Sequence, residues 1–101
     1  MEAKVNKGEF LKAIRLGKGV SGDNPFVMDM TEDGKLTLYF SDGDRGVWKD
    51  IQVECDKRWD DFICVPRDLV ESWLSAFSDD DLLVSLSYTK TELRLSSPYG
   101  I

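Results

Sequence analysis

The chain repeats itself, and the repeat limits what it can fold into more than any other feature. A short strand, an amphipathic helix and a hairpin occupy residues 3–40 and return in residues 62–96. Phe10-Leu11-Lys12-Ala13-Ile14 aligns with Leu69-Val70-Glu71-Ser72-Trp73. Phe26-Val27-Met28 aligns with Leu82-Leu83-Val84, and Lys35-Leu36-Thr37-Leu38 with Glu92-Leu93-Arg94-Leu95. One β-α-β-β unit has an apolar helix stripe and an apolar strand face that need covering; two units can share one core. The expected fold is α+β, a pseudo-two-fold pair of β-α-β-β units with two helices packed on one face of antiparallel sheet. At 101 residues the chain fits a single domain, residues 1–101.

Within this plan, residues 4–6 read as a first strand and residues 8–15 as a helix, with Phe10, Leu11 and Ile14 at helical spacing. Gly17, Gly19 and Gly22 are expected to end that helix and form a loop. Residues 26–30 and 35–40 make a hairpin through Glu32-Asp33-Gly34, a turn signal because Asp-Gly tolerates positive φ. Leu36, Leu38 and Phe40 share one strand face, and Thr37 and Tyr39 the other. Residues 47–55 form a long strand, with Val47, Ile51, Val53 and Cys55 inward and Trp48, Asp50, Gln52 and Glu54 outward. Residues 56–61 cross over to a second unit that begins at residues 62–65. Pro66 then suits the first turn of a helix whose stripe is Leu69, Val70, Trp73, Leu74 and Phe77. A second hairpin turns around Thr89-Lys90-Thr91. The expected core is Phe10, Ile14, Leu36, Leu38, Leu69, Trp73, Val84, Leu86, Leu93 and Leu95.

Composition narrows the function. An apolar fraction of 42% supports a packed core, and no apolar run approaches the roughly 20 residues that span a bilayer. The start, Met1-Glu2-Ala3-Lys4-Val5, has no signal-peptide character, so a cytoplasmic location without membrane association is expected. A net charge of -6 opposes strong attraction to nucleic acid by the whole molecule. Histidine is absent, and Cys55 and Cys64 match no metal-binding spacing; both are expected as small apolar fillers in adjacent strands. The carboxylates of Asp60-Asp61 and Asp79-Asp80-Asp81 fall in turns, where nothing raises a pKa for acid-base work. Gly17-Lys18-Gly19 lacks the Gly-Lys-Ser/Thr ending of a phosphate loop. No catalytic residue and no cofactor are expected.

Two groups of residues remain as binding candidates. Lys7, Lys12, Arg15 and Lys18 lie on or beside the first helix, off its apolar stripe, and could contact phosphates. Trp48, Trp59 and Tyr99 fall outside the apolar faces and are candidates for a protein interface.

The order of these pieces resembles one domain of a DNA polymerase processivity clamp of the bacterial type. Gly8-Glu9-Phe10-Leu11-Lys12-Ala13-Ile14 looks like its first helix, and Gly34-Lys35-Leu36-Thr37-Leu38 with Asp42-Gly43-Asp44 looks like its hairpin. Ile63-Cys64-Val65-Pro66-Arg67-Asp68-Leu69-Val70 looks like the start of its second helix. Val84-Ser85-Leu86 with Glu92-Leu93-Arg94-Leu95 looks like its closing hairpin. The resemblance covers residues 3–96. It implies a non-enzymatic protein whose relatives build DNA-encircling rings from six such domains and bind short peptides of polymerases and repair factors. Two departures stand out. A clamp domain carries a further strand after the second hairpin, whereas here Leu95 is followed by Ser96-Ser97-Pro98-Tyr99-Gly100-Ile101, and Pro98 cannot donate to a ladder. The second helix also lacks the basic row of the first.

Two functions of different class follow. One is a non-enzymatic protein-binding module with a clamp-like fold, a modulator, inhibitor or mimic in DNA replication, repair or mobile-element biology. In that case any direct DNA contact is weak, and the open sheet edge serves a protein partner or a homo-oligomer. The other is a self-assembling sliding clamp built from single-domain subunits.

Overall fold

A computed structural model describes residues 2–22, 24–32, 34–55, 63–89 and 92–98. The elements run β1 (Glu2–Asn6), α1 (Lys7–Ser21), β2 (Phe26–Glu32), β3 (Lys35–Ser41) and β4 (Gly46–Cys55), then β5 (Ile63–Val65), α2 (Arg67–Ser75), β6 (Leu83–Tyr88) and β7 (Leu93–Ser96). The strands form one sheet in the order β5-β2-β3-β4-β1-β6-β7. Every neighbouring pair is antiparallel. α1 packs on β3, β4 and β1 and against α2. The doubled β-α-β-β plan and the α+β fold class are therefore present as the sequence implied.

The strand faces follow the period-two pattern. Leu36, Leu38 and Phe40 are buried while Tyr39 is exposed, and Ile51 and Val53 are buried while Trp48, Asp50 and Gln52 are exposed. Gly34, in the hairpin turn, has φ of 79°; Asp33 lies outside the described residues, as do residues 56–62 of the crossover. Cys55 and Cys64 sit on β4 and β5, which are not neighbours, and Cys64 points outward because only Ile63 and Val65 of its strand face the core.

α1 is longer than its glycines suggested. Gly17 and Gly19 lie inside it, and the chain leaves the helix only at Gly22, whose φ is 58° and whose N–H donates to the Lys18 carbonyl. Gly17 has a packing reason to be glycine. A Cβ there would stand 2.3 Å from the Phe40 ring, so the aromatic rests directly on the helix backbone. Tertiary contact outweighs the roughly 1 kcal/mol propensity cost of a helical glycine.

The repeat holds, but its helix register is one residue away from the sequence alignment. α1 begins at Lys7 and α2 at Arg67, so Phe10 corresponds to Val70 and Ile14 to Leu74. All four are buried. Leu69 corresponds instead to the exposed Glu9, and it is 70% exposed. One residue turns a side chain by about 100° on a helix, which is why Leu69 leaves the core it was expected to join. Trp73, Leu93 and Leu95, also expected inside, are only partly buried at the core's edge.

Candidate protein-interaction surface

Both helices are anchored at their first residue by a buried cation, and the two anchors are related by the pseudo-two-fold. Lys7 donates from Nζ to Asp80 Oδ1 at 2.8 Å, in the loop before β6. Arg67 donates from Nε to the Gly22 carbonyl at 2.6 Å, in the loop before β2, and its guanidinium also engages Asp68 and Glu71. Each cation therefore ties its helix to the loop that leaves the other helix. Main-chain bonds from Lys7 N–H to Leu82 and from Gly8 N–H to Asp80 tighten the first tie. The lysine hydrogen bond holds the Asp80 carboxyl below the usual carboxylate range, and the Arg67 hydrogen bond does the same for Glu71.

This geometry removes Lys7 from the DNA-facing set. The residue is only 4% exposed and its ammonium is occupied by Asp80, so it has no free path to a phosphate. Lys12, Arg15 and Lys18 are exposed on α1. Arg15 also reaches across to Glu71 at 3.5 Å and to the Ser75 hydroxyl at 3.3 Å on α2.

The two units differ most beside their second hairpins. The pairings β1–β6, β2–β5, β2–β3 and β6–β7 make Leu36 equivalent to Leu93, Thr37 to Arg94, Leu38 to Leu95, and Val5 to Val65. In the first unit β4 lies along β3 from Gly46 to Gln52 and then crosses onto β1 from Val53 to Cys55. Its Ile51 and Val53 cover the core, and Leu36 and Leu38 are wholly buried. In the second unit no described strand takes that place. The sheet ends at β7 on one side and β5 on the other. Between them lies an apolar groove of about 470 Å³ lined by Cys64, Val65, Leu69, Trp73, Leu93 and Leu95. Sequence reasoning placed Leu69 in the core and missed that it lines this groove, a fact the matched helix starts after Asn6 and Pro66 would have revealed.

A second open stretch runs along the first half of β4, which pairs with β3 alone until β1 takes over at Val53. A groove of about 540 Å³ separates it from Lys12, Arg15 and the 61%-exposed Leu16 on α1. On the outer face Trp48 is 66% exposed and lies opposite Tyr39, with ring centroids 6.4 Å apart. Trp59 and Tyr99, the other aromatic candidates, lie outside the described residues. Among those described, no three His, Cys, Asp or Glu side chains group in a way that could hold a metal, and no helix is long and apolar enough to cross a membrane.

Compared by sequence, the chain matches no protein family and no curated protein. Compared by structure, it matches bacterial replication proteins. A Eubacterium rectale protein assigned as a DNA polymerase III beta subunit superposes with a TM-score of 0.81 at 22% identity, over 98% of this chain and 27% of that one. The DNA polymerase III subunit beta of Pseudomonas aeruginosa gives 0.79 at 18% identity, over 96% and 27%. A DNA polymerase sliding clamp from Caulobacter crescentus gives 0.80 at 17% identity, over 96% and 28%. The fold is that of a sliding-clamp domain, and the chain spans about a quarter of the length of these structures.

Proposed function

We propose that the chain acts as one clamp-like domain that binds protein and catalyses nothing, working among the cytoplasmic machinery of DNA replication or repair as a modulator or mimic of a clamp. The observation that carries this reading is the partly exposed apolar surface of the second unit, which no described strand covers. Leu93 and Leu95 stand partly exposed where their equivalents Leu36 and Leu38 are wholly buried, and Leu69 adds an aliphatic side chain to the same opening. Apolar surface beside an unpaired edge is the usual sign of a docking face. The similarity to solved clamps supports the setting in replication, and the net charge of -6 argues against DNA as the primary ligand.

A second reading is a self-assembling clamp. It is favoured by one observation, that β4 and β7 each have a stretch with no partner strand among the described residues, since a head-to-tail ring needs two different complementary edges. Sedimentation velocity and duplex titration at about 0.15 M salt separate the two readings. A monomer without submicromolar duplex binding is the expected result. A closed oligomer that binds duplex, and loses it when Lys12 and Arg15 are both changed to Glu, would replace the first reading with the second.

A further inference from the structure

We propose that the outer face of the sheet, across β2, β3 and β4, is a docking platform for a basic, arginine-bearing segment of a partner protein. This rests on the protein-binding reading and names the chemistry of the partner.

Two rows of side chains cross these three strands on the face turned away from α1. Register sets the first row, with Val27 opposite Tyr39 and Tyr39 opposite Trp48. The second row, two residues along, places Asp29 opposite Thr37 and Thr37 opposite Asp50. Side chains two apart on a strand share a face and stand about 7 Å from each other. An aromatic row therefore runs beside a row with a carboxylate at each end.

The aromatic row is more exposed than the fold requires. Tyr39 is 41% and Trp48 66% exposed, with ring centroids 6.4 Å apart and planes inclined by 30°. Gly46 makes room for the phenol, since a Cβ there would stand 2.4 Å from the Tyr39 hydroxyl oxygen. Tyr39 thus lies over a glycine of the neighbouring strand, a packing role that accounts for the tyrosine. It does not account for Trp48, which has the larger ring and the greater exposure.

The second row selects the occupant. Thr37 donates to Asp50 at 2.6 Å, and neither Asp29 nor Asp50 has a cationic partner among the described residues. Arg45, in the turn between β3 and β4, is paired with Asp42, and Lys35 stands one row further on, opposite Gln52. A wholly apolar partner would cover both carboxylates and leave their charge uncompensated. Bases can stack on aromatic rings, but nucleic acid would bring its phosphates against the same carboxylates. An arginine satisfies both rows at once. Its guanidinium can stack on the Trp48 indole and donate to Asp50 beside it. A second basic residue of the same segment would reach Asp29, two strands away.

The probe is a short labelled peptide of alternating arginine and serine, titrated with the full chain at about 0.15 M salt. Fluorescence anisotropy should show saturable binding. Trp48→Ala should weaken it about fivefold and Trp48→Tyr should retain most of it, while lysine in place of every arginine should weaken it too. Asp50→Asn should weaken it about threefold. Glu54→Gln, the same charge change at an exposed position further along β4, should not. If Trp48→Ala fails to fold, the contrast between Asp50→Asn and Glu54→Gln decides alone. Absence of saturable binding overturns the proposal, as does binding by a folded Trp48→Ala variant at wild-type affinity. Equal losses from Asp50→Asn and Glu54→Gln would reduce the effect to whole-molecule charge and overturn it too. So would tighter binding of single-stranded oligothymidine than of the peptide, which would give the platform to bases. A monomer that ignores duplex DNA and binds no peptide loses the platform alone. A DNA-binding ring loses the protein-binding reading as well.

Discussion

Leu38 and Leu95 hold the same place in the two halves of the molecule, yet Leu38 is wholly buried and Leu95 is not. The helices above them start at equivalent residues and the strands pair in equivalent registers. The difference is one strand. β4 seals the first unit by laying Ile51 and Val53 over its core, and nothing described seals the second. Pseudo-symmetry thus separates what the fold requires from what it leaves open. A position buried in both halves belongs to the fold, and a position buried in one half alone marks where the described surfaces of the two halves differ.

The sharpest way to break this comparison is to truncate the paired leucines. Leu38→Ala should cost about 2–5 kcal/mol, as a fully packed leucine does, and Leu95→Ala about 1 kcal/mol or less. Urea denaturation of both variants checks it. Equal losses would mean that the second unit is as well sealed as the first.

The two helix anchors offer the next contrast. Arg67 is 2% exposed and serves a main-chain carbonyl and two carboxylates, whereas Lys7 serves one carboxylate that is itself solvent-exposed. Removing Arg67 leaves the Gly22 carbonyl short of its donor. Arg67→Ala should cost about 2–4 kcal/mol and Lys7→Met about 1 kcal/mol. A larger loss at Lys7 in the same denaturation assay would reverse the ranking of the two ties.

Within α1, Gly17 and Gly19 make an internal control. Alanine at Gly17 meets the Phe40 ring, while alanine at Gly19 meets nothing within 4 Å. Gly17→Ala should destabilise by about 1–3 kcal/mol despite better helix propensity, and Gly19→Ala should stabilise by about 0.5–1 kcal/mol. Thermal midpoints moving in the same direction would show that Phe40 does not need the glycine.

Those glycines also show how far the sequence can be read. Fold class, hairpins and strand faces were legible because they depend on local periodicity, as in Leu36, Leu38 and Phe40. The length of α1 was not, since Gly17 looks like a helix terminator until the ring of Phe40, 23 positions along the chain, is known to rest on it. Lys7 read as a free cation for the same reason, its partner Asp80 being 73 positions away. Leu69 was misplaced by a one-residue slip in aligning the helices. Strands tolerate such reading because their faces alternate; a helix stripe needs the register of its first residue.

Acid should reveal the anchors again, with a smaller effect. Asp80 and Glu71 are both held below the ordinary carboxylate range, chiefly by hydrogen bonds from Lys7 and Arg67. A carboxylate depressed in the folded state binds fewer protons there than when unfolded. Its stabilisation is therefore full above the ordinary range near pH 4 and is lost as pH falls through and below it. Asp80→Asn should flatten the stability-pH curve in that acid window and leave its shape near neutrality unchanged. A curve that stays as steep would assign acid sensitivity to other groups.

The smallest expected effect tests the open face most directly. Leu69→Ser replaces a side chain that is 70% exposed and stands where the first unit has Glu9. If the corrected helix register is right, folding neither gains nor loses much, and the change in stability should stay within about 0.5 kcal/mol. Urea midpoints of the Leu69→Ser variant and the wild-type chain should therefore coincide. A stability loss as large as that of Leu38→Ala would put Leu69 back in the core and make the second unit a packed counterpart of the first.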